Sequence, residues 1–289
     1  MSEYILVTGA TGQLGREVVR TLLQNRVAVK AATRRPESYS HPDVEPLFLD
    51  YSQPTSFVPA IRGAAGLFLI SGPMDPKVHE KLPQLIDTAK VEGVQKIIFV
   101  SAWGVDQNED NVLRKCEHYL EQSGMRYVIF RPNFFMDNFS SGFIGDMIRA
   151  TGNIYLPAGT GKTSFISCRD IALAVEKAFA HRDWDHQAIP LSGKESLDHD
   201  LVARIISQVS GREIHYFDQS PEQVLAAGKE AGMSEGAVSY LNELYEMVRN
   251  GWVAPISEHL KSIIGQQPES FRAFAERSLG SWMLPGSAN

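Results

Sequence analysis

Ile5-Leu6-Val7-Thr8-Gly9-Ala10-Thr11-Gly12-Gln13-Leu14-Gly15 joins a short apolar run to a glycine-spaced turn, and Leu14, Val18, Val19, Leu22 and Leu23 then recur at helical spacing. The pattern predicts a strand, a tight turn and an amphipathic helix, followed by a second strand over 27–32. The glycines have separate physical tasks in such a unit. Gly9 permits the turn, Gly12 lets a pyrophosphate approach the backbone, and Gly15 lets the helix pack closely on the strand. The first amides of the helix have no intrahelical acceptor and would face the phosphates. Thr11, Gln13 and Leu14 therefore join Gly9, Gly12 and Gly15 as candidate dinucleotide contacts.

The end of the second strand bears on which nicotinamide is used. An NAD site places Asp or Glu there to accept from the ribose 2′-hydroxyl, but this strand ends Ala31-Ala32-Thr33-Arg34-Arg35. Thr33 can hydrogen-bond and Arg34 can fork onto a 2′-phosphate and stack on the adenine, with Arg35 a further candidate contact, which favours NADP(H) over NAD(H). The bland alternative is a solvated strand exit. Asp50, at the end of a third strand over 44–49, is a candidate for the adenine edge.

Length and charge narrow the class. The chain has 289 residues and a formal net charge of −6, with no basic stripe, which disfavours nucleic acid as a partner. Two isolated cysteines, Cys116 and Cys168, show neither a disulfide framework nor zinc spacing, so a reducing cytoplasm is the expected compartment and no metal site is expected. No apolar run approaches the ~18 residues of a membrane span, and the immediate entry into a strand leaves no room for a signal peptide.

Strand and helix patterns alternate through the first half. Strands are expected over 66–70, 97–100 and 127–130, and helices over 54–61, 78–92 and 111–122. Continuous apolar strands imply burial on both faces, hence a Rossmann-type α/β fold with a doubly wound parallel sheet. The strand ends carry Ser71-Gly72-Pro73, Ser101-Ala102-Trp103 and Arg131-Pro132-Asn133, where such a sheet binds its ligand. Ser71, Gly72, Pro73, Ser101 and Pro132 are thus further candidate cofactor contacts. The second half suggests strands over 164–166, 189–191 and 214–217, helices over 171–180 and 198–210, and mostly helix after Pro221, broken at Gly232, Gly251 and Pro268. The expected division is a dinucleotide-binding domain over 1–132 and a smaller, mostly helical substrate lobe over 133–289 that partly returns to the sheet.

The glycine turn, Leu69-Ile70-Ser71-Gly72-Pro73, Arg131-Pro132-Asn133-Phe134-Phe135-Met136-Asp137-Asn138-Phe139 and Phe165-Ile166-Ser167-Cys168-Arg169-Asp170-Ile171-Ala172 together resemble the NmrA-like, atypical short-chain dehydrogenase/reductases. The resemblance covers nearly the whole chain and is similar in kind to the triphenylmethane reductases, quinone oxidoreductases and festuclavine dehydrogenases. It implies a Rossmann fold, NADP(H) and a small-molecule substrate covered by the C-terminal lobe, in a monomer or a homodimer.

One departure bears on the chemistry. Short-chain dehydrogenases place Tyr four residues before Lys so that the ammonium lowers the phenol pKa, yet none of the nine tyrosines here has Lys at that spacing. Ser101, Tyr119 and Asn133 are the catalytic candidates that remain. Without an acid, an iminium ion, a quinone or a cationic dye is a better hydride acceptor than a ketone. Trp103, Phe134, Phe135 and Phe139 could wall in such an acceptor, with Asn133 or Asn138 supplying a neutral hydrogen bond; core packing is the alternative for the aromatics, and satisfying loop backbone is the alternative for the asparagines. Gly159-Thr160-Gly161-Lys162-Thr163 reads as a turn before a strand, since a phosphate loop would need glycine where Leu156 stands. Asp106, Glu109 and Asp110 read as a solvated acidic loop. The competing function is a non-catalytic NADP(H) sensor, as some members of the resembled family are regulators.

Overall fold

The computed structural model describes residues 4–72, 75–230 and 232–283. In chain order the elements are β1 (Tyr4–Val7), α1 (Gln13–Gln24), β2 (Val29–Thr33), β3 (Glu45–Phe48), α2 (Phe57–Ile61), β4 (Ala64–Ile70), α3 (Val78–Val91), β5 (Lys96–Val100), α4 (Val112–Gln122) and β6 (Arg126–Pro132). They continue with α5 (Gly142–Thr151), β7 (Asn153–Leu156), α6 (Cys168–Ala180), β8 (Gln187–Leu191), α7 (His199–Ser210), β9 (His215–Asp218), α8 (Pro221–Glu230), α9 (Glu235–Arg249), α10 (His259–Ile264) and α11 (Phe271–Arg277). Two compact units form: Met1–Pro132 with Cys168–Leu191 and His259–Gln266, and Asn133–Ser167 with Ser192–Glu258 and Gln267–Asn289. Among the described residues no helix is long and apolar enough to cross a membrane.

In the first unit the described strands make a parallel sheet in the order β3-β2-β1-β4-β5-β6-β8. All of β1 and β5 are buried, as expected for strands covered on both faces. On one face Leu6, Leu67, Leu69, Ile97, Phe99, Tyr127 and Ile129 pack with Phe57, Leu82, Leu85, Ile86 and Leu120 of α2, α3 and α4. A Cβ on Gly66 would stand 2.6 Å from Ile5 Cδ1 and 2.8 Å from the Phe179 ring, so this glycine lets α6 press on β4. The strand order reverses between β1 and β4, which places a topological switch point at the C-terminal ends of Val7 and Ile70.

The boundaries differ from the sequence reading where a local device intervenes. The second strand starts at Val29, not at 27, because α1 ends in a Schellman motif: Val27 N–H donates to Leu22 O at 3.0 Å, Arg26 N–H donates to Leu23 O at 2.9 Å, and Arg26 has φ +59°. Lys96 opens β5 although it is a cation inside a sheet. Its Nζ donates to Ala178 O and His181 O and pairs with Asp185.

The second unit pairs β7 with β9 in parallel, with α5 and α7 packed against them and Tyr155 and Phe217 left exposed. The strand expected over 164–166 is absent, because its backbone bonds go to different partners. Ser164 N–H donates to Val253 O, Ile166 N–H donates to Phe134 O, and Thr163 makes a single bridge with Leu197. The Gly159–Thr163 turn accordingly leads into that bridge and not into a strand. Neither α5 nor β7 was expected from the sequence.

Candidate functional site

The turn after β1 has the geometry a dinucleotide requires. Gly9 has φ +61°, and a Cβ on it would lie 2.7 Å from Ile70 Cγ2. Gly12 N–H donates to Gly9 O at 2.9 Å, closing the turn. Gly12 is the N-cap of α1 and offers no side-chain hydrogen bond to the first turn, which leaves that turn to backbone donors. A Cβ on Gly15 would sit 2.1 Å from Gly9 O, so only glycine allows α1 this close to the turn. Thr11 and Gly12 are exposed and Gln13 is half-buried, whereas the Leu14 side chain is 2% exposed and packs in the core. Leu14 can therefore serve a ligand only through its backbone.

Beside this turn, Thr33 is buried and its Oγ1 accepts from Arg35 N–H at 3.2 Å, setting the path of the strand exit. Arg34 and Arg35 are exposed and have no ion pair among the described residues. Arg16, on the exposed face of α1, was not singled out from the sequence; its charge acts on the Tyr39 hydroxyl in the same β2–β3 connection, where burial is the larger influence and raises the phenol pKa. Arg16 thus adds a third cation near this exit. The Asp50 carboxylate accepts from Ser52 N–H at 2.8 Å and from Gln53 Nε2 at 3.3 Å, shaping its own turn. The next residue, Tyr51, donates to Ile70 O at 2.7 Å, and Ile70 N–H donates to Thr8 Oγ1 at 3.0 Å. Those two bonds brace the switch point. This surface fits an anionic dinucleotide: an exposed glycine at a helix start, first-turn amides that no intrahelical carbonyl can reach, and arginines with no ion pair among the described residues.

At the end of β4, Ser71 is half-buried and Gly72 is exposed with open space around its Cβ direction; Pro73 lies outside the described residues. At the end of β5, Ser101 is 7% exposed and its hydroxyl has no well-formed hydrogen bond among the described residues. Trp103 is half-buried, and its N–H donates to Pro132 O at 3.0 Å.

Several candidates are placed elsewhere than expected. Tyr119 lies late on α4, toward the end of the helix that leads back to the start of β6, and its hydroxyl donates to Asp87 Oδ2 on α3 at 2.7 Å. That bond to a carboxylate raises its pKa. It is a helix-to-helix tie and not an acid at the strand ends. Asn133 is 2% exposed and spends its polar atoms on the protein: Nδ2 donates to Ser164 Oγ and Val253 O, both at 2.8 Å, and Oδ1 accepts from Phe134 N–H at 2.8 Å. Phe139 is 1% exposed, with ring centroids 5.2 Å from Phe165 and 5.4 Å from Phe271, so it is core and not an acceptor wall. Phe134, Phe135 and Asn138 are half-buried and retain surface for a ligand.

The acidic loop is not simply solvated either. Asp106 pairs with Arg131 at 3.1 Å, and Glu109 with Arg114 at 3.2 Å and with His118 at 2.6 Å. Behind them Glu117 is completely buried. Burial opposes ionisation of its carboxyl, but Arg131, the nearby Ser101 hydroxyl and Arg114 outweigh it and hold the pKa below the ordinary carboxylate value. No sequence motif pointed to Glu117. The signal was a carboxylate at i+3 from Arg114 on the apolar side of α4. Among the described residues no group of His, Cys, Asp and Glu is arranged to hold a metal.

The model of the NmrA-like family matches residues 1–262. The chain is 29% identical over 283 residues to Prestalk A differentiation protein A of Dictyostelium discoideum, covering 96% of this chain and 93% of that protein. It is also 29% identical over 281 residues to the NAD(P)H azoreductase of Xenophilus azovorans, covering 94% of this chain and 96% of the relative. Among solved structures, triphenylmethane reductase of Citrobacter sp. superposes with a TM-score of 0.83 at 25% identity, covering 96% of this chain and 99% of that one.

Proposed function

Because the chain belongs to the NmrA-like family, we propose that it is an NADPH-dependent reductase that delivers hydride to a small, conjugated, electron-poor acceptor such as an iminium ion, a quinone or a cationic dye. The observation that carries the cofactor assignment is the open first turn of α1 beside Gly12, with exposed Arg34, Arg35 and Arg16 nearby. When bound, NADPH supplies the hydride. The amides of Gln13, Leu14 and Gly15 would hold the pyrophosphate, Thr33 and the arginines the 2′-phosphate, and Asp50 the adenine edge; Ser71, Gly72, Ser101 and Pro132 are proposed contacts further along the strand ends. Trp103, Phe134, Phe135 and Asn138 are the proposed acceptor contacts.

The acceptor class is inferred from the side chains that remain available. Tyr119 is tied to Asp87 and Asn133 is fully hydrogen-bonded, so neither is poised to protonate an alkoxide. Ser101 can orient a polar group, but a serine hydroxyl is too weak an acid to deliver a proton unaided. An acceptor that is already cationic or quinoid needs little help at the hydride step. NADPH oxidation in the presence of quinones, cyclic iminium compounds, azo dyes and triarylmethane dyes tests the reading. Turnover of at least one class is expected. Tight NADPH binding with no oxidation by any of them would favour a redox sensor instead.

A further inference from the structure

The face of β5 and β6 that meets α4 is apolar until its last register. Ile97 and Phe99, with Tyr127 and Ile129, belong to the cluster that includes Cys116 and Leu120 of α4; two residues further along the same face stand Ser101 and Arg131. Arg131 donates from Nε to Glu117 Oε1 at 2.9 Å and from Nη2 to Oε2 at 2.7 Å. Its Nη1 reaches Asp106 Oδ2 at 3.1 Å, in the 3-10 turn Val105–Gln107. Arg114 Nη1 donates to Glu117 Oε2 at 2.9 Å. One guanidinium therefore joins the end of β6, the middle of α4 and the turn that follows Trp103. The backbone runs the same way, with Ser101 N–H donating to Phe130 O at 2.8 Å and Trp103 N–H to Pro132 O at 3.0 Å.

We propose that the Glu117–Arg131–Asp106 bridge fixes the Ser101–Gln107 segment as one wall of the crevice at the ends of β5 and β6, which makes Glu117 and Arg131 positioning residues for hydride transfer. This rests on the reductase reading above. Stability alone does not account for the arrangement. A buried ion pair is generally replaceable by apolar side chains without loss, and the arm to Asp106, a carboxylate with 40% of its side chain exposed, adds nothing to the core. What that arm does is hold a loop. Only a planar fork can grip Glu117 through two nitrogens while its third points at Asp106; a lysine ammonium keeps the charge and loses the geometry. The Ser101 hydroxyl lies beside the Glu117 carboxylate, so its direction depends on the segment's backbone and on where Arg131 holds that carboxylate.

The test compares Asp106→Asn and Arg131→Lys with the wild-type chain. Glu117→Gln would leave Arg131 buried without its counter-charge and is expected to cost fold stability, so Asp106→Asn, on the exposed side, carries the decision. The readouts are hydrogen exchange of the 101–107 amides, NADPH affinity by calorimetry, and turnover with an acceptor found in the panel, using NADPH deuterated at the transferred position. Exchange in the segment should rise by about tenfold with β1 and α1 unchanged. Turnover should fall by about fivefold or more and by more than NADPH affinity does, because Ser101 is one cofactor contact among many whereas the segment as a whole aligns the acceptor. Arg131→Lys should behave like Asp106→Asn. Unchanged exchange, or a loosened segment with undiminished turnover and an unchanged isotope effect, would show the bridge to be structural only. Absence of turnover by the wild-type chain with every acceptor would instead sink the reductase reading and take the proposal with it.

Discussion

Replacing Gly12 by valine separates the cofactor site from the fold. Gly12 has φ −80° and ψ 170°, an extended conformation valine adopts without strain. Its Cβ would stand 3.3 Å from Gly9 O, a tight contact that a shift of a few tenths of an ångström relieves. Valine is a poorer N-cap than glycine by about 1 kcal/mol, which for a chain of this size lowers Tm by about 2–4 °C. The two methyl groups, however, extend from an exposed position over the first-turn amides. Hydrogen bonds to a charged phosphate are each worth about 1.5–3 kcal/mol, so blocking two of them weakens NADPH by about 3–6 kcal/mol, or about 10²- to 10⁴-fold in Kd. Gly15→Ala is the contrasting case. Its Cβ would meet Gly9 O at 2.1 Å and Gly9 C at 2.6 Å, backbone atoms that cannot swing aside, so α1 must move off β1 and thermal stability should fall together with binding. Calorimetric titration with NADPH and circular dichroism melting of both variants decide the matter. A Gly12→Val protein that binds NADPH like the wild type would refute the assignment of the pyrophosphate to this turn.

Three further outcomes are expected. Arg34→Asp should weaken NADPH by about ten- to a hundredfold and NADH little, with Arg16→Ala adding a smaller loss of the same selectivity; equal losses for the two cofactors would make these arginines structural. Phe139→Ala should cost about 3–5 kcal/mol in urea denaturation because it empties a fully buried site, while Phe134→Ala should leave stability nearly intact and raise the acceptor KM. His199, enclosed by Phe139, Phe165, Tyr216 and Tyr245 and with Asp198 and Asp218 the nearest charges, is pushed down by burial from 6.5 to about 4. Below pH 6.5 the unfolded chain binds a proton that the folded chain refuses, so this stabilisation is complete above pH 6.5 and is lost as pH falls toward 4. At 1.36 kcal/mol per pH unit the loss is about 3 kcal/mol, and the acid sensitivity of the urea midpoint should shrink in His199→Phe; an identical pH profile for that variant would remove His199 as its source.

The nucleotide-binding half was legible in the chain itself because its signals are local. A run such as Ile5-Leu6-Val7 must be buried on both faces, Gly9, Gly12 and Gly15 solve steric problems within a few residues of one another, and α4 could be placed from the spacing of its apolar residues. At β2 the boundary slipped because the sequence hides a local device, the Schellman motif that delays the strand to Val29. The fate of single polar and aromatic side chains was different. Asn133, Phe139 and Tyr119 all sit in stretches whose sequence suggests a site, yet Asn133 is consumed by Ser164 and Val253, Phe139 by Phe165 and Phe271, and Tyr119 by Asp87, partners between 26 and 132 residues away in the chain. Glu117 carried no motif and proves to be a wholly buried carboxylate held by two arginines. Strand and turn formation answers to neighbours in sequence, so the chain alone determined the sheet and its glycine turn. Whether a hydroxyl, an amide or a ring is free to meet a ligand depends on which distant atoms reach it first, and only the tertiary structure decided that.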